Sequence, residues 1–141
     1  MNKGMYTSNK DDWETPDEIF DEYNTKFGFD IIDVCANENN HKCDNYFTQK
    51  DDGLRLIWTG KCWMNPPYGR EIGEWVKKAM YSSLYTDAIV VGLLPARTDS
   101  KWFHDFVYGF SDIVFIRGRL KFKGAKWNAP FPSMIAIWGN K

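Results

Sequence analysis

The sequence predicts an α/β domain built on a mostly parallel sheet. Apolar runs of strand length recur along the chain, helical patterns lie between them, and polar turn formers follow their carboxyl ends. Continuous apolar runs are typical of strands buried on both faces, as in parallel sheets. The 141 residues suffice for one domain with its own core. We therefore expect residues 1–10 to be a flexible N-terminus and residues 11–141 to form a single domain.

Charge and aromatic content limit the classes of partner. The net charge is −1, so no global field attracts the chain to nucleic acid. Residues 1–70 carry 8 Lys and Arg against 13 Asp and Glu, whereas residues 71–141 carry 10 against 6. The basic C-terminal half is either a polyanion-binding face or scattered surface charge, and composition leaves both open. Aromatic residues make up 17% of the chain, which predicts that some rings lie on a surface that stacks on a flat ligand.

The number and spacing of the cysteines indicate the redox environment of the protein. Cys35, Cys43 and Cys62 form no even disulfide framework, which favours a reducing environment. With His41 they lack the close cysteine pair of a zinc site, so we expect free buried cysteines and no metal. No stretch resembles a membrane span or the apolar region of a signal peptide. We expect a soluble, cytoplasmic protein that does not contact a membrane.

The first element is a helix after a polar N-terminus. Thr15 is a candidate N-cap, Pro16 suits the first helical position, and Gly28 suits the end of the helix. The positions that share its apolar face are Ile19, Phe20, Tyr23 and Phe27.

Residues 29–36 read as a buried parallel strand with Asp33 near its carboxyl end. Ligands of open α/β sheets lie beyond the carboxyl ends of strands, where a carboxylate suits the ammonium or ribose of a cofactor. The alternative for Asp33 is a helix cap. Residues 42–48 form a short, weak strand, and residues 51–54 form a turn.

The most informative stretch follows the next strand, Lys61–Met64. It reads Asn65-Pro66-Pro67-Tyr68, and two consecutive prolines make it stiff and extended. Such a segment holds an amide and an aromatic ring in fixed relation. The alternative is a Pro-Pro turn that ends the strand.

This arrangement suits methylation of an exocyclic amino group, whose lone pair is delocalised into its ring. The side-chain oxygen of Asn65 and the carbonyl of Pro66 are candidate acceptors for the two amino hydrogens. Such acceptors would free the lone pair and stabilise charge that develops in the transition state. Tyr68 is expected to stack on the substrate base.

The second half continues the alternation of helix and strand. An amphipathic helix carries Ile72, Trp75, Val76, Ala79 and Met80. Residues 87–94 are the clearest buried strand, and Arg97 and Lys101 beyond it are candidate phosphate contacts. A further helix carries Trp102, Phe103 and Phe106.

The C-terminal part predicts two strands, a basic face and an aromatic loop. Residues 112–116 read as a strand, residues 126–132 as a rigid aromatic loop, and Ser133–Trp138 as a closing apolar strand. Between them, alternation predicts a strand with one basic face, which is either a DNA contact or a charged, solvated edge. That face carries Arg117, Arg119, Lys121 and Lys123.

A series of motifs follows in a fixed order from Asp12 to Trp138. They are Asp-Trp-x-Thr-Pro (12–16), Asp-x-Cys-Ala with a following Asn (33–37), a Cys-Asp-x-Tyr-Phe-Thr-like stretch (43–48), Asp-Asp-Gly-Leu (51–54), Asn-Pro-Pro-Tyr (65–68), Trp-Val-x-Lys-Ala (75–79), Leu-Leu-Pro-Ala-Arg-Thr-Asp (93–99), Arg-Gly-Arg-Leu-Lys-Phe (117–122) and Ala-Pro-Phe-Pro-Ser (129–133). In this order they resemble the compact Dam-type DNA adenine-N6 methyltransferases of bacteriophages and prophages, and the Asn-Pro-Pro-Tyr tetrapeptide is the most specific part of the resemblance.

The resemblance implies a compact Rossmann-like methyltransferase fold with helices on both faces of a mostly parallel sheet, and S-adenosylmethionine as cofactor. It assigns catalysis to Asn65, Pro66, Pro67 and Tyr68. The implied cofactor contacts are Trp13, Thr15, Pro16, Asp33, Cys35 and Ala36, with Asp44 or Asp52 as a second acid and the choice left open.

Two departures from larger adenine methyltransferases affect the prediction. The glycine-rich loop after the first strand is missing, since Cys35-Ala36-Asn37 stands in its place, and we expect no separate target-recognition domain. The second departure predicts a short recognition sequence, a partner subunit such as a second copy in a homo-oligomer, or loose specificity. The expected partner is double-stranded DNA with a flipped adenine. The alternatives are methylation of RNA adenine, cytosine N4 or protein glutamine, or a catalytically inactive DNA-binding protein.

Overall fold

The computed structural model describes residues 13–28, 32–36, 40–43 and 45–140. The predicted flexible N-terminus, residues 1–10, lies outside these ranges. The main elements are α1 (Asp17–Phe27), β1 (Ile32–Asp33), β2 (Lys61–Met64), α2 (Ile72–Tyr85), β3 (Ile89–Pro95), β4 (Asp112–Phe115) and β5 (Ser133–Trp138). The shorter elements are 3-10 turns at Gln49–Asp51 and Gly53–Arg55 and a π-helical segment at Phe103–Val107.

The strands of the described ranges form one five-stranded sheet in the order β1-β2-β3-β5-β4. β1, β2 and β3 are parallel, whereas β5 runs antiparallel to both β3 and β4. The α/β class is confirmed, but the sheet is mixed rather than mostly parallel. The prediction of a mostly parallel sheet holds only in part, because an apolar run indicates that a strand is buried on both faces but does not indicate its direction. β5 is fully buried yet has two antiparallel neighbours.

The predicted strands agree with the structure where the apolar runs are longest. β2 and β5 have the predicted bounds, and β3 is shifted from residues 87–94 to Ile89–Pro95. The first strand is shorter than predicted: residues 29–31 lie outside the described ranges, and the chain bends after Asp33. The weak strand at 42–48 is reduced to one parallel bridge between Asp33 and Tyr46.

Helix α1 begins at Asp17 and ends before Gly28, whose φ of 71° is left-handed, as predicted for a terminal glycine. The prediction of Thr15 as N-cap is wrong. Pro16 occupies the position before the helix, and no side chain caps it. The Thr15 hydroxyl instead accepts a hydrogen bond from Asn65, so this residue belongs to the site described below.

Helix α2 buries its predicted apolar face against the sheet and the 3-10 turns. The largest side chains without solvent exposure include Trp58, Trp63 and Trp138, which places much of the tryptophan content in the core. In the ranges that the structure describes, no helix is both long and apolar enough to cross a membrane.

The predicted basic strand at 117–123 is wrong, because residues 116–132 form an irregular loop between β4 and β5. Gly118 has a φ of 77°, which ends the extended path after β4. The alternation is nevertheless real: Phe122 is 2% exposed, and the Arg119 and Lys121 beside it are exposed. The alternation in the sequence therefore came from a segment that packs one side against the core but pairs with no strand.

Candidate active site

Strand β2 delivers the Asn-Pro-Pro-Tyr segment to the edge of the sheet. Its residues 62–64 are buried between β1 and β3, which fixes where the chain emerges. Asn65 is half-buried and Pro66 is buried. The segment then turns into α2, where the Ile72 amide donates to the Gly69 carbonyl at 3.2 Å.

The Asn65 side-chain amide is oriented by the segment that precedes α1. Its Nδ2 donates to the backbone carbonyl of Trp13 and, at 2.9 Å, to the hydroxyl of Thr15. A backbone carbonyl can only accept, so the nitrogen must face this segment. Consequently the Oδ1 atom faces the other way as a fixed acceptor.

This Oδ1 atom is buried and has no hydrogen-bond partner among the described residues. A buried acceptor without a donor is uncommon and costs about 1–3 kcal/mol. An Asn that is held on one side and unsatisfied on the other is arranged to receive an N–H group from a ligand. The sequence analysis predicted such an acceptor at Asn65, and its catalytic role remains a prediction.

A cleft of about 1030 Å³ lies beside Asn65, at the carboxyl ends of β1 and β2. It brings together most of the predicted site residues from five separate stretches of sequence. These are Trp13, Thr15, Asp33, Cys35, Ala36, Asp52, Asn65, Pro66, Pro67 and Lys123. Pro16 and Tyr68 lie outside its lining, and Asp44 lies outside the described residues.

Asp33 is 3% exposed at the cleft wall and holds the chain that follows β1. Its carboxylate accepts the backbone N–H of Lys42 at 2.8 Å and that of Cys35 at 3.4 Å. Burial raises its pKa to about 7, although these two N–H groups and the nearby His41 and Lys42 act in the opposite direction. The side chain therefore has a structural function in addition to the cofactor contact that was predicted for it.

Several wall residues were not predicted as site residues. The sequence predicted the turn at 51–54 and helix α2, but it did not predict that both lie beside Asn65. Trp75 is 8% exposed and closes the wall from α2, where helical periodicity marked it only as core. The other such residues include Phe47, Thr48, Gln49, Lys50, Gly53, Arg55, Trp63 and Glu71.

Gly53 lets the wall form, because a side chain would not fit there. A Cβ atom at this position would lie 2.4 Å from the carbonyl oxygen of Val34 and 3.3 Å from the ring of Trp75. The Gly53 carbonyl in turn accepts the indole N–H of Trp58 at 2.9 Å. A glycine after two aspartates in the sequence signals a turn, and here it also allows a close backbone approach.

The aromatic ring of Tyr68 is covered by other side chains in this structure. It is 3% exposed, and its hydroxyl donates to the carbonyl of Leu93 at 2.8 Å. Its ring contacts Phe122 and Phe131 in edge-to-face geometry, with centroids 6.2 and 5.6 Å away. Stacking on a base, as expected from the sequence, would require these rings to move.

Phe122 and Phe131 belong to an aromatic cluster that also includes Trp13 and Tyr68. The Trp13 ring lies 5.3 Å from Phe122 and 5.2 Å from Phe131. The cluster thus joins the segment before α1 to the 116–132 loop directly above the Asn-Pro-Pro-Tyr segment. Arg97 covers the outer side, with its guanidinium 5.9 Å from the Phe131 ring.

Lys123 was predicted as a DNA contact, but the structure places it in an ion cluster at the cleft. Its ammonium lies 3.1 Å from Asp17 and 3.8 Å from Glu14, and Lys42 lies 2.9 Å from the same Asp17. Hydrogen bonds from Lys42 and Lys123 lower the pKa of Asp17, and the Asp17 carboxylate raises the pKa of Lys123. The charge of Lys123 is therefore balanced within the protein.

The other predicted DNA contacts are exposed. Arg97 follows β3, and the Ala96 amide beside it donates to the Pro132 carbonyl at 2.9 Å, which ties this turn to the 116–132 loop. Lys101 forms an ion pair with Asp105 on the same helical turn. The exposed basic residues of the loop are Arg117, Arg119 and Lys121.

Comparison with known proteins adds an independent finding. Residues 3–138 match the family described as DNA N-6-adenine-methyltransferase (Dam). The chain is similar to the DNA N-6-adenine-methyltransferase of Haemophilus phage HP1, with 37% identity over 114 residues that cover 77% of this chain and 64% of the relative. It is also similar to the DNA N-6-adenine-methyltransferase of Escherichia phage T1, with 32% identity that covers 79% of this chain and 47% of the relative. The chain thus spans less than two thirds of the length of either relative.

Proposed function

Because the chain belongs to the DNA N-6-adenine-methyltransferase (Dam) family, we propose that it transfers a methyl group from S-adenosylmethionine to the N6 amino group of an adenine in double-stranded DNA. The observation that carries the proposal is the buried Oδ1 atom of Asn65, which is oriented by Thr15 and Trp13 and lacks a donor among the described residues. An exocyclic amino group supplies that donor.

The residues of the cleft fit S-adenosylmethionine. The volume of about 1030 Å³ is ample for a nucleoside-sized ligand beside Asn65. Aromatic walls suit an adenine ring, while acidic groups suit an ammonium or ribose. When bound, this cofactor supplies an electrophilic methyl group on a positively charged sulfur. The residues proposed to hold it are Trp13, Thr15, Asp33, Cys35 and Ala36 of the lining, the adjacent Pro16, and Asp44 or Asp52 as a second acid.

Asn65 and Pro66 prepare the nucleophile. In the proposed mechanism the Asn65 Oδ1 atom accepts one amino N–H and the Pro66 carbonyl accepts the other. These bonds favour a pyramidal nitrogen whose lone pair is available for attack. Because the acceptors are fixed before the reaction, they stabilise the developing positive charge without reorganisation. The amino proton leaves after the new N–C bond forms, so no side chain has to remove it first.

Access to the site requires a rearrangement of the aromatic cluster. The adenine must leave the helix, since its amino group is paired inside the duplex. We propose that the Phe131 side chain rotates away, while the loop stays anchored in the core at Phe122 and Ala129, and that the flipped base takes the place of the Phe131 ring against Tyr68. Arg97, Arg117, Arg119, Lys101 and Lys121 then hold the phosphates.

The proposal includes the domain organisation. Residues 11–141 form one methyltransferase domain of Rossmann-like type, in which the antiparallel β5 completes the sheet. We propose that a short contact surface on this chain or a second subunit contributes to recognition of the target sequence.

The decisive experiment is transfer of labelled methyl from S-adenosylmethionine to unmethylated duplex DNA, followed by nuclease digestion and identification of the product. We expect N6-methyladenine, and no product with Asn65→Ala. Label in cytosine, RNA or protein would instead support an amino-methyltransferase of different substrate class. Failure to bind the cofactor, measured by calorimetry, would leave only a DNA-binding protein.

A further inference from the structure

One tryptophan differs from those of the core. Trp127 is 74% exposed, whereas Trp58, Trp63 and Trp138 are at most 1% exposed. The ammonium of Lys126 lies 5.5 Å from the Trp127 ring, which gives this loop tip an aromatic surface and a positive charge together. This combination is characteristic of residues that contact stacked bases and their phosphates.

The tip is supported from both sides. The Ala125 amide donates to the Phe122 carbonyl at 3.0 Å, and the Ala129 amide donates to the Leu120 carbonyl at 2.7 Å. Phe122 and Ala129 are 2% and 3% exposed, so the base of the loop is anchored in the core. Trp127 therefore projects from a fixed support rather than from a free strand of chain.

The support is part of the candidate active site. Phe131 follows Trp127 by four residues, so their Cα atoms are at most about 14 Å apart. The Phe131 ring lies 5.6 Å from that of Tyr68, next to the Asn-Pro-Pro-Tyr segment. A duplex that delivers an adenine to Asn65 consequently passes within reach of the indole.

We propose that Trp127 enters the duplex and fills the space that the flipped adenine leaves. This inference rests on the proposed function. Extruding a base breaks its pairing and stacking, and an inserted apolar side chain replaces part of the lost stacking. The indole supplies the stacking surface, Lys126 contacts the adjacent phosphate, and Trp127 thus acts as a positioning residue that holds the base out of the helix.

The test compares Trp127→Ala with Trp127→Phe on two duplexes. One duplex contains a normally paired target adenine, and in the other the target lies opposite an abasic site. We expect Trp127→Ala to lower kcat/KM on the paired duplex by about 5- to 150-fold, the loss of one base–aromatic stack. On the abasic duplex the loss should be under about threefold, because less pairing energy has to be replaced. Trp127→Phe should keep most of the activity on both.

Tyr85→Ala is the matched control, since Tyr85 is also an exposed aromatic residue, at 81%, and should leave both rates unchanged. The fluorescence of 2-aminopurine at the target position provides a readout without turnover and should rise on binding to the wild-type protein but not to Trp127→Ala. Equal losses on both duplexes, or none on either, would overturn the role of Trp127 alone. A wild-type protein that methylates neither duplex would overturn the proposed function and this inference together.

Discussion

At the scale of single residues, the proposed chemistry depends most directly on Asn65. Asn65→Ala removes the amide acceptor, and we expect kcat to fall by at least about 10²–10³-fold, as for other preorganised transition-state contacts. Cofactor affinity should change little, because Asn65 is assigned to the amino group of the substrate. Single-turnover methyl transfer and calorimetry measure the two quantities separately. Full activity in Asn65→Ala would contradict the mechanism.

Thr15 is expected to act through Asn65. Its side chain is 2% exposed and accepts from Asn65 Nδ2. Thr15→Val keeps the shape but removes this acceptor, which is worth about 1 kcal/mol and hence roughly a fivefold loss in kcat. Thr15→Ser keeps the hydroxyl and should retain activity. If Thr15→Val instead weakens cofactor binding and leaves kcat unchanged, the residue is a cofactor contact only.

Asp33 makes stability depend on pH. Burial raises its pKa from 3.8 to about 7, so between these values the folded protein keeps a proton that the unfolded chain releases. The free energy of unfolding therefore falls as pH rises from about 4 to about 7 and levels off above. Asp33→Asn should flatten this part of the profile. Urea unfolding of both proteins at pH 5 and pH 8, without cofactor, tests the prediction, and parallel profiles would contradict it.

The conformation of the Asn-Pro-Pro-Tyr segment was predictable because it is local. Two consecutive prolines after an apolar strand restrict the backbone whatever the rest of the fold does, and the segment follows β2 as predicted, while the catalytic roles of its residues remain predictions. The sequence did not indicate that the Tyr68 ring is covered by Phe122 and Phe131. These rings come from residues more than fifty positions later in the chain, and no local pattern reports such a contact.

At the scale of elements, the turn around Gly53 is the most sensitive part of the cleft wall. Gly53→Ala would place a Cβ atom 2.4 Å from the Val34 carbonyl oxygen, so the backbone must shift. We expect a loss of about 1–3 kcal/mol in the free energy of unfolding, typical of overpacking, and weaker cofactor binding. Denaturant unfolding and calorimetry measure these effects.

Gly73→Ala provides the control for Gly53→Ala. Gly73 lies in α2, and a Cβ atom there would meet the Trp102 Cβ atom at an ordinary 3.6 Å. The substitution should be neutral or stabilise the helix by about 0.5–1 kcal/mol. If Gly53→Ala were as stable as Gly73→Ala, the cleft wall would be able to accept the extra Cβ atom without a loss in the free energy of unfolding.

Elements with a strong repeating pattern were predicted well, and those fixed by single contacts were not. The apolar face of α2 and the bounds of β2 follow directly from the sequence. The loop at 116–132 alternates like a strand, yet between its two ends its backbone hydrogen bonds in the described ranges join it to Glu14 and to the loop itself, and only Ile116 and Pro132 at the ends bond to Ser133 and Ala96. Alternation reflects one buried side, which an extended loop on the core has as well as a strand does.

At the scale of the whole molecule, the candidate site is assembled from segments that are distant in sequence. The stretch before α1, the ends of β1 and β2, and the 3-10 turns all line one cleft. Because β1 and β2 pair in parallel, Asp33 and Asn65 both lie at the edge of the sheet where the strands end. The sequence predicted that each of these residues lies at the carboxyl end of a strand, but the ion cluster of Glu14, Asp17, Lys42 and Lys123 could not be foreseen, because it depends on three-dimensional packing.

The same cluster divides the basic residues into those available to DNA and those already neutralised. Arg119 and Lys121 are exposed, whereas Lys123 is held by Asp17 and Glu14.

Each phosphate contact contributes about −0.9 to the slope of the logarithm of the DNA-binding constant against the logarithm of the salt concentration. We therefore expect the double variant Arg119→Ala/Lys121→Ala to reduce the magnitude of the slope by about 2, while Lys123→Ala leaves it nearly unchanged. Fluorescence anisotropy with a labelled duplex over a series of salt concentrations measures the slopes. A fall with Lys123→Ala as large as that of the double variant would mean that DNA displaces Asp17, and that the ion cluster opens when the duplex binds.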